Sequence, residues 1–140
     1  MSYDTNNVFA KILRGEIPCH KVHEDAHTLA FMDVMPQADG HTLVIPKQPS
    51  RNLLDADAAA LGPLMASVQK VANAVRQAFG AEGMLIQQFK EGAAGQTVFH
   101  LHVHILPRTA GVPLRPHSGK MADNQLLARH AEMIRAALEA

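Results

Sequence analysis

The sequence contains no tryptophan, one cysteine and one tyrosine, and it carries no net charge. A single cysteine, Cys19, cannot form an internal disulfide, which excludes a disulfide-stapled fold. Balanced basic and acidic side chains, 13 of each, give no electrostatic reason to expect nucleic acid or an anionic membrane as partner. No apolar run approaches the roughly 18 residues that a membrane span needs. Residues 1–7 are polar and lack a basic segment, so we expect no secretory signal and a cytoplasmic protein.

The composition is that of one globular domain, expected over residues 1–140, with 47% hydrophobic and 19% charged residues. Asn6 or Asn7 can cap a short helix over residues 8–13, which Gly15 ends. Helical spacing of apolar residues over 55–79 predicts a long helix that stops at Gly80. A last helix is predicted from about residue 122.

Four stretches have the composition of strands, and two of them are joined by a loop of small residues. The strands are predicted over 20–31 (two strands around a turn at 24–26), 41–45, 84–89 and 97–106. The short connection from 89 to 97 predicts an antiparallel hairpin. The chain is therefore expected to be α+β, with an antiparallel sheet against a long helix.

Three histidines, His100, His102 and His104, occupy every second position of the run 97–106. In an extended strand, side chains two residues apart leave the same face, about 6.6 Å from each other. The three imidazoles are therefore expected on one face. The other face is expected to carry four apolar residues, Phe99, Leu101, Val103 and Ile105.

Three interpretations of this run compete. The histidines could be structural groups that are hydrogen-bonded to backbone or water. They could bind a metal ion, although the outer two lie about 13 Å apart on a straight strand, so other ligands would be needed. In the third interpretation the central ring, His102, is a covalent nucleophile, with flanking rings that hold a substrate and share protons.

The loop before the run favours the third interpretation. Gly92 and Gly95, with two alanines between them, allow backbone N–H groups to approach an anion closely. Gln96 and Thr97 then add a side-chain amide and a hydroxyl. We therefore expect a phosphoryl group to bind beside the histidines.

The segment 100–106 matches the pattern His-φ-His-φ-His-φ-φ, where φ is apolar, and the chain resembles the histidine triad (HIT) family. The resemblance to its nucleotide-binding Hint branch extends over residues 8–18, 29–34, 36–38 and 41–47. It implies an α+β HIT-like fold with a five-stranded antiparallel sheet, one long helix and a short N-terminal helix. It also implies a homodimer in which two sheets join.

The resemblance implies a hydrolase of purine nucleoside phosphoramidates or related nucleotide esters, acting through a nucleotidyl-histidine that water converts to a nucleoside monophosphate. It assigns His102 as nucleophile, assisted by His100, His104 and His41, with His41 beside His100. Phosphate or leaving-group contacts are assigned to Gly95, Gln96 and Thr97, and ribose contacts to Asp33. The base pocket is assigned to Val8, Phe9, Ile12, Phe31 and Val34.

No cofactor is expected, and no metal. Some bacterial members hold a structural zinc on an N-terminal Cys-x-x-Cys, where this chain has Asn-Val-Phe-Ala at 7–10. The chain also departs from its relatives at residues 89–91, Phe-Lys-Glu, where an asparagine is common. Leaving-group choice is expected to depend on Arg115 and His117 in an irregular segment, 107–119. Two alternatives stay open: a metal-dependent hydrolase or oxygenase, and a non-catalytic nucleotide-binding module.

Overall fold

A computed structural model describes residues 2–116 and 120–140, so His117 lies outside the described residues. The helices are α1 (Val8–Leu13), α2 (Ala58–Phe79) and α3 (Asn124–Glu139). The strands are β1 (Lys21–Glu24), β2 (Thr28–Met32), β3 (Thr42–Pro46), β4 (Gly83–Gln87) and β5 (Val103–Arg108). Two single 3₁₀ turns lie at Leu53–Asp55 and Gly92–Ala94.

The five strands form one antiparallel sheet in the order β1-β2-β3-β5-β4. This confirms the predicted fold class, and the β4–β5 pair is the predicted hairpin. β5 lies between β3 and β4, with Leu43 and Gln87 both opposite His104. The histidine segment therefore enters the centre of the sheet rather than its edge.

Alternation along the strands separates two apolar clusters, one on each face of the sheet. The larger cluster joins the sheet to α2 and α3, through residues such as Val44, Val103, Val71 and Ile134. The smaller one packs α1 against the opposite face and contains Phe9, Leu29, Phe31, Leu43 and Ile45. The two long helices thus cover one side of the sheet, whereas the six-residue α1 packs on the other side, with Cys19 and Val98 against the same cluster.

The helix ends follow the predicted capping chemistry. Asn7 caps α1 by accepting the Ala10 N–H, and Gly80 ends α2 in the left-handed conformation, with φ of 57°. α2 begins at Ala58, later than predicted, because the Asp57 carboxylate caps it. Pro63 lies in the interior of α2.

The predicted strand over 97–106 is wrong in its first half. Only His104 of the three histidines lies in β5, which begins at Val103. Before that point Leu101 donates its N–H to Ser50 O instead of to a neighbouring strand. The alternation nevertheless continues, since Leu101, Val103 and Ile105 all lie in the helix-side cluster, whereas Phe99 does not.

Within the described ranges, no helix is long and apolar enough to cross a bilayer. The segment 109–116 is irregular, as predicted for the region after the histidines.

Candidate active site

The site lies on the α1 face of the sheet, where neighbouring strands deliver its polar side chains. His100, His102 and His104 leave the face opposite Leu101 and Val103, and His41 comes from the residue before β3. Asp33 follows β2 directly. All five side chains are buried. Buried imidazoles must satisfy their ring nitrogens, so the hydrogen bonds assign each tautomer.

The His102 ring is held so that its Nε2 carries the lone pair. Its Nδ1 lies 2.7 Å from the backbone oxygen of His100. A carbonyl oxygen can only accept, so Nδ1 carries the proton of the neutral ring and Nε2 does not. The edge of the Phe9 ring packs against His102, with 5.0 Å between ring centroids. This is the arrangement that an imidazole nucleophile requires.

His104 and His41 form a hydrogen bond in which donor and acceptor can be assigned. The Gln37 backbone N–H lies 3.0 Å from His41 Nδ1 and can only donate, so the neutral His41 ring carries its proton on Nε2. That Nε2 lies 2.9 Å from His104 Nδ1, which must then accept. The neutral His104 ring therefore has its proton on Nε2. His102 and His104 are adjacent, with centroids 5.0 Å apart, and present opposite functions: an Nε2 lone pair and an Nε2–H donor.

His100 is occupied at both ring nitrogens. Its Nε2–H donates to Pro46 O over 2.8 Å, and its Nδ1 accepts from the Tyr3 hydroxyl over 2.6 Å. Burial, together with the neighbouring His102, lowers the pKa of His100 to about 4, so the ring is neutral. These contacts fix the His100 backbone oxygen that orients His102. No sequence signal pointed to Tyr3.

Asp33 is engaged within the site. Its Oδ1 accepts the Met35 N–H over 2.8 Å, and its Oδ2 lies 3.4 Å from His41 Nε2. The resemblance places His41 beside His100, whereas its ring contacts His104. Asp33, His41 and His104 each offer one ligand atom within 4.8 Å of the others, so these three residues could hold a metal ion. A metal there would displace the proton shared by the two imidazoles.

The small-residue loop is not organised as the predicted anion nest. The backbone N–H groups of Ala94 and Gln96 donate to Glu91 O, and that of Gly95 donates to Gly92 O. The loop therefore uses these donors to close its own 3₁₀ turn. Sequence reasoning missed this because glycine and alanine permit both arrangements.

Gln96 is buried, and its side-chain amide links the loop to neighbouring segments through hydrogen bonds. Its amide oxygen accepts from the Glu91 N–H and from Asn52, and its amide nitrogen donates to Arg51 O and Val98 O. Both donors and both acceptor positions of the amide are filled. The side chain assigned to phosphate contact thus ties the loop to residues 51–52. Thr97, next in the chain, is exposed.

Glu91 is the one non-glycine with positive φ among the described residues, at φ 72° and ψ 159°. That region is occupied almost only by glycine. Three donors hold its carboxylate: two from the Arg51 guanidinium, at 2.7 and 2.9 Å, and one from Asn52 at 2.8 Å. The Arg51 guanidinium lies over the Phe99 ring at 4.2 Å. Arg51 lowers the pKa of Glu91, so the contact between the two side chains is an ion pair.

The residues assigned to the base pocket divide into two groups. Phe9 and Phe31 are buried in the α1 cluster with Ile12 packed against it, whereas Val8 and Val34 are exposed. On the opposite side of the histidines the Phe89 ring packs against His104, with centroids 5.5 Å apart. The next residue is Lys90, whose partial burial lowers the pKa of its ammonium group.

Comparisons with known proteins find matches in both sequence and fold. The family model described as "HIT domain" matches residues 14–111. The chain is 53% identical to a Hit-like protein from Bartonella henselae, with a TM-score of 0.92 over 97% of this chain and 99% of that one. A histidine triad nucleotide-binding protein from Sulfolobus tokodaii is 33% identical, with a TM-score of 0.86 over 94% and 91% of the two chains. Adenylylsulfatase HINT3 of Arabidopsis thaliana is 37% identical over 81% of this chain and 61% of its own length.

Proposed function

The chain belongs to the HIT domain family, and we propose that it is a nucleotide hydrolase that cleaves purine nucleoside phosphoramidates, or related nucleotide esters, at the α-phosphorus. The observation that carries the proposal is the 2.7 Å contact from His102 Nδ1 to the His100 carbonyl, which places the lone pair on Nε2. The nucleotide-binding and adenylylsulfatase names of two relatives support the substrate class.

In the first step His102 Nε2 attacks the α-phosphorus and the bond from phosphorus to the leaving nitrogen breaks. That nitrogen keeps the bonding pair and takes the Nε2 proton of His104. His102, now substituted on Nε2 and protonated on Nδ1, is cationic, and the His100 carbonyl faces its N–H. His104 has lost a proton, and the His41 Nε2–H stabilises the electron-rich ring through its 2.9 Å contact.

In the second step a water molecule attacks phosphorus on the nucleotidyl-histidine. The water gives one proton back to His104 Nε2, its oxygen bonds to phosphorus, and the bond to His102 breaks. The products are a nucleoside monophosphate and the amine, and both rings regain their starting protonation. The four tautomers assigned above support each proton position in this cycle, and no metal or cofactor is required by it.

Substrate contacts follow from the surfaces around His102. We assign the purine to the apolar cluster that contains Phe9, Phe31 and Ile12, with the exposed Val8 and Val34 at its rim. Asp33 is assigned to the ribose hydroxyls, a role that requires its contact with His41 to break. Thr97 is assigned to the phosphoryl oxygens, while Gly95, whose N–H donates to Gly92 O, and Gln96 act by shaping the loop.

We propose that the chain forms a homodimer in which the second subunit packs against the β4 edge of the sheet. β4 is an edge strand whose Ile86 side chain is 39% exposed. Gln88, just after it, has a buried side-chain oxygen that accepts no hydrogen bond from the described residues, and an incoming chain could donate to it. The β1 edge is less open, since Arg135 of α3 donates to Lys21 O.

Turnover of an adenosine 5′-phosphoramidate tests the proposal. His102→Ala should lower kcat/KM by roughly 10⁴-fold or more, as removal of a nucleophile does, while AMP still binds. His27→Ala, at an exposed histidine in the β1–β2 turn, is the matched control and should retain full activity. Undiminished turnover by His102→Ala would refute the assignment. Activity lost to a chelator and restored by zinc would favour the metal-dependent alternative at Asp33, His41 and His104.

A further inference from the structure

We propose that Arg115 is a positioning residue that acts through the 36–39 turn to hold His41 in the tautomer on which leaving-group protonation depends. The inference deepens the function proposed above and rests on it. It links a residue of the irregular segment after β5 to the hydrogen-bonded imidazoles on the α1 face. The sequence analysis connects Arg115 to leaving-group choice, and the structure offers a route for that influence through the turn.

The Arg115 side chain and backbone make three hydrogen bonds to the 36–39 turn. Its backbone N–H donates to Gln37 O over 2.8 Å. Its guanidinium donates from Nε to Pro36 O over 3.3 Å and from Nη2 to Asp39 Oδ1 over 3.1 Å. A planar guanidinium holds two acceptors in fixed relative positions, which an ammonium group does not. Arg115 therefore fixes both sides of the turn around Gln37.

The opposite side of the same turn faces the active site. Gln37, whose carbonyl accepts from Arg115, donates its own N–H to His41 Nδ1 over 3.0 Å. His41 in turn donates its backbone N–H to Ala38 O over 3.1 Å. The peptide that bears the Gln37 N–H thus favours the proton on His41 Nε2, on the side where Asp33 Oδ2 lies 3.4 Å away.

The tautomer of His41 affects proton transfer to the leaving group through its hydrogen bond to His104. With Nδ1 occupied as an acceptor, His41 presents Nε2–H to His104 Nδ1 over 2.9 Å. If the Gln37 N–H moves away, the His41 proton can shift to Nδ1, and His104 loses the donor that stabilises its deprotonated ring. Proton transfer to the leaving group then becomes harder, whereas attack by His102 is unaffected.

Arg115 lies where its side chain can be removed without unfolding the protein, so an effect of the substitution on turnover reports on positioning. The Arg115 side chain is 51% exposed and its partner Asp39 is 60% exposed, and exposed ion pairs contribute little to stability. Arg115→Ala should therefore remain folded. Arg129→Ala on α3, which removes another exposed arginine, is the matched control.

The kinetic test compares two adenosine 5′ substrates with different leaving groups. An alkylamine phosphoramidate needs a proton on its leaving nitrogen, whereas a 4-nitrophenyl phosphodiester releases a stable anion. Arg115→Ala should lower kcat/KM about tenfold for the amine, within the range for loss of a coupling contact, and leave the nitrophenyl ester within about twofold of wild type. Arg129→Ala should change neither. Asp39→Ala, which removes one of the two side-chain contacts, should give a smaller loss for the amine alone.

Equal losses on both substrates, or none, would overturn the proposal. Nitrogen NMR of the histidine rings tests it without turnover: wild type should show an unprotonated Nδ1 and a protonated Nε2 on His41, and Arg115→Ala a mixture of the two tautomers. A pure Nε2–H tautomer in Arg115→Ala would also overturn it. If the wild-type enzyme turned over neither substrate, the proposed function would fail, and the NMR result would still decide whether Arg115 positions His41.

Discussion

Folding stability should depend on pH because of His100. The ring is fully buried, with an ordinary pKa of 6.5 in the unfolded chain and a pKa of about 4 in the fold. Between these values the unfolded chain binds a proton that the folded protein does not. Acid therefore favours unfolding, and stability falls as pH decreases through this window.

The magnitude follows from the two pKa values. Lowering the pH from 7 to 5 should remove about 2 kcal/mol of unfolding free energy through His100 alone, since one pKa unit corresponds to about 1.4 kcal/mol and the folded ring is still neutral at pH 5. The Glu24 carboxylate stays ionised over this range, because its bonds to Lys47 and Lys21 lower its pKa to about 2.

Urea unfolding at pH 5, 6 and 7, at one ionic strength and one protein concentration, measures this effect. His100→Gln keeps an N–H donor for Pro46 O and removes the titration, so its loss of stability between pH 7 and 5 should be smaller than that of wild type by about 2 kcal/mol. His27→Gln, at an exposed position, should behave as wild type. If His100→Gln lost as much stability as wild type over this range, the buried neutral ring would be refuted.

Three further predictions concern the loop, a turn and the edge strand. Glu91→Gly should be more stable than Glu91→Ala by about 1–2 kcal/mol in urea unfolding, because both lose the carboxylate but only glycine tolerates φ of 72°; equal stabilities would contradict this. Gly40→Ala should cost about 1–3 kcal/mol, since its Cβ would lie 2.8 Å from the Phe79 ring at a φ of 88°, and Phe79→Leu should recover part of that loss. Ile86→Glu should convert the proposed dimer to monomer in light scattering, while Met65→Glu, at another exposed apolar side chain, should not. A dimer that survives Ile86→Glu would exclude the β4 edge as the interface.

The sequence predicted the fold well where local chemistry decides it. Capping by Asn7, the stop at Gly80 and the β4–β5 hairpin all depend on residues close in the chain. The alternating histidines indicated a shared face, and the face is shared even though β5 begins only at Val103. Alternation reports on burial, whereas a strand also requires hydrogen bonds to a neighbouring strand, and Leu101 donates its N–H to Ser50 O instead.

The functional distinctions among the histidines could not be predicted, because they depend on contacts between distant segments. Tyr3 and Pro46 occupy both ring nitrogens of His100, and neither partner is near it in the sequence. Gln96, assigned to the phosphate by resemblance, makes two of its four amide hydrogen bonds with Asn52 and Arg51, which are 44 and 45 positions away. Such partners leave no local pattern in the sequence.

His102 Nε2 should become covalently bonded to the nucleotide during turnover. Mass spectrometry of enzyme quenched during turnover of an adenosine 5′-phosphoramidate detects this bond. His104→Ala is assayed with the adenosine 5′-(4-nitrophenyl) phosphodiester, whose leaving group needs no proton, so that slower water activation alone makes the adduct accumulate. An adenylyl group should appear on the peptide that contains His102 and be absent in His102→Ala. Turnover without any adduct, or an adduct on another residue, would refute covalent catalysis by His102.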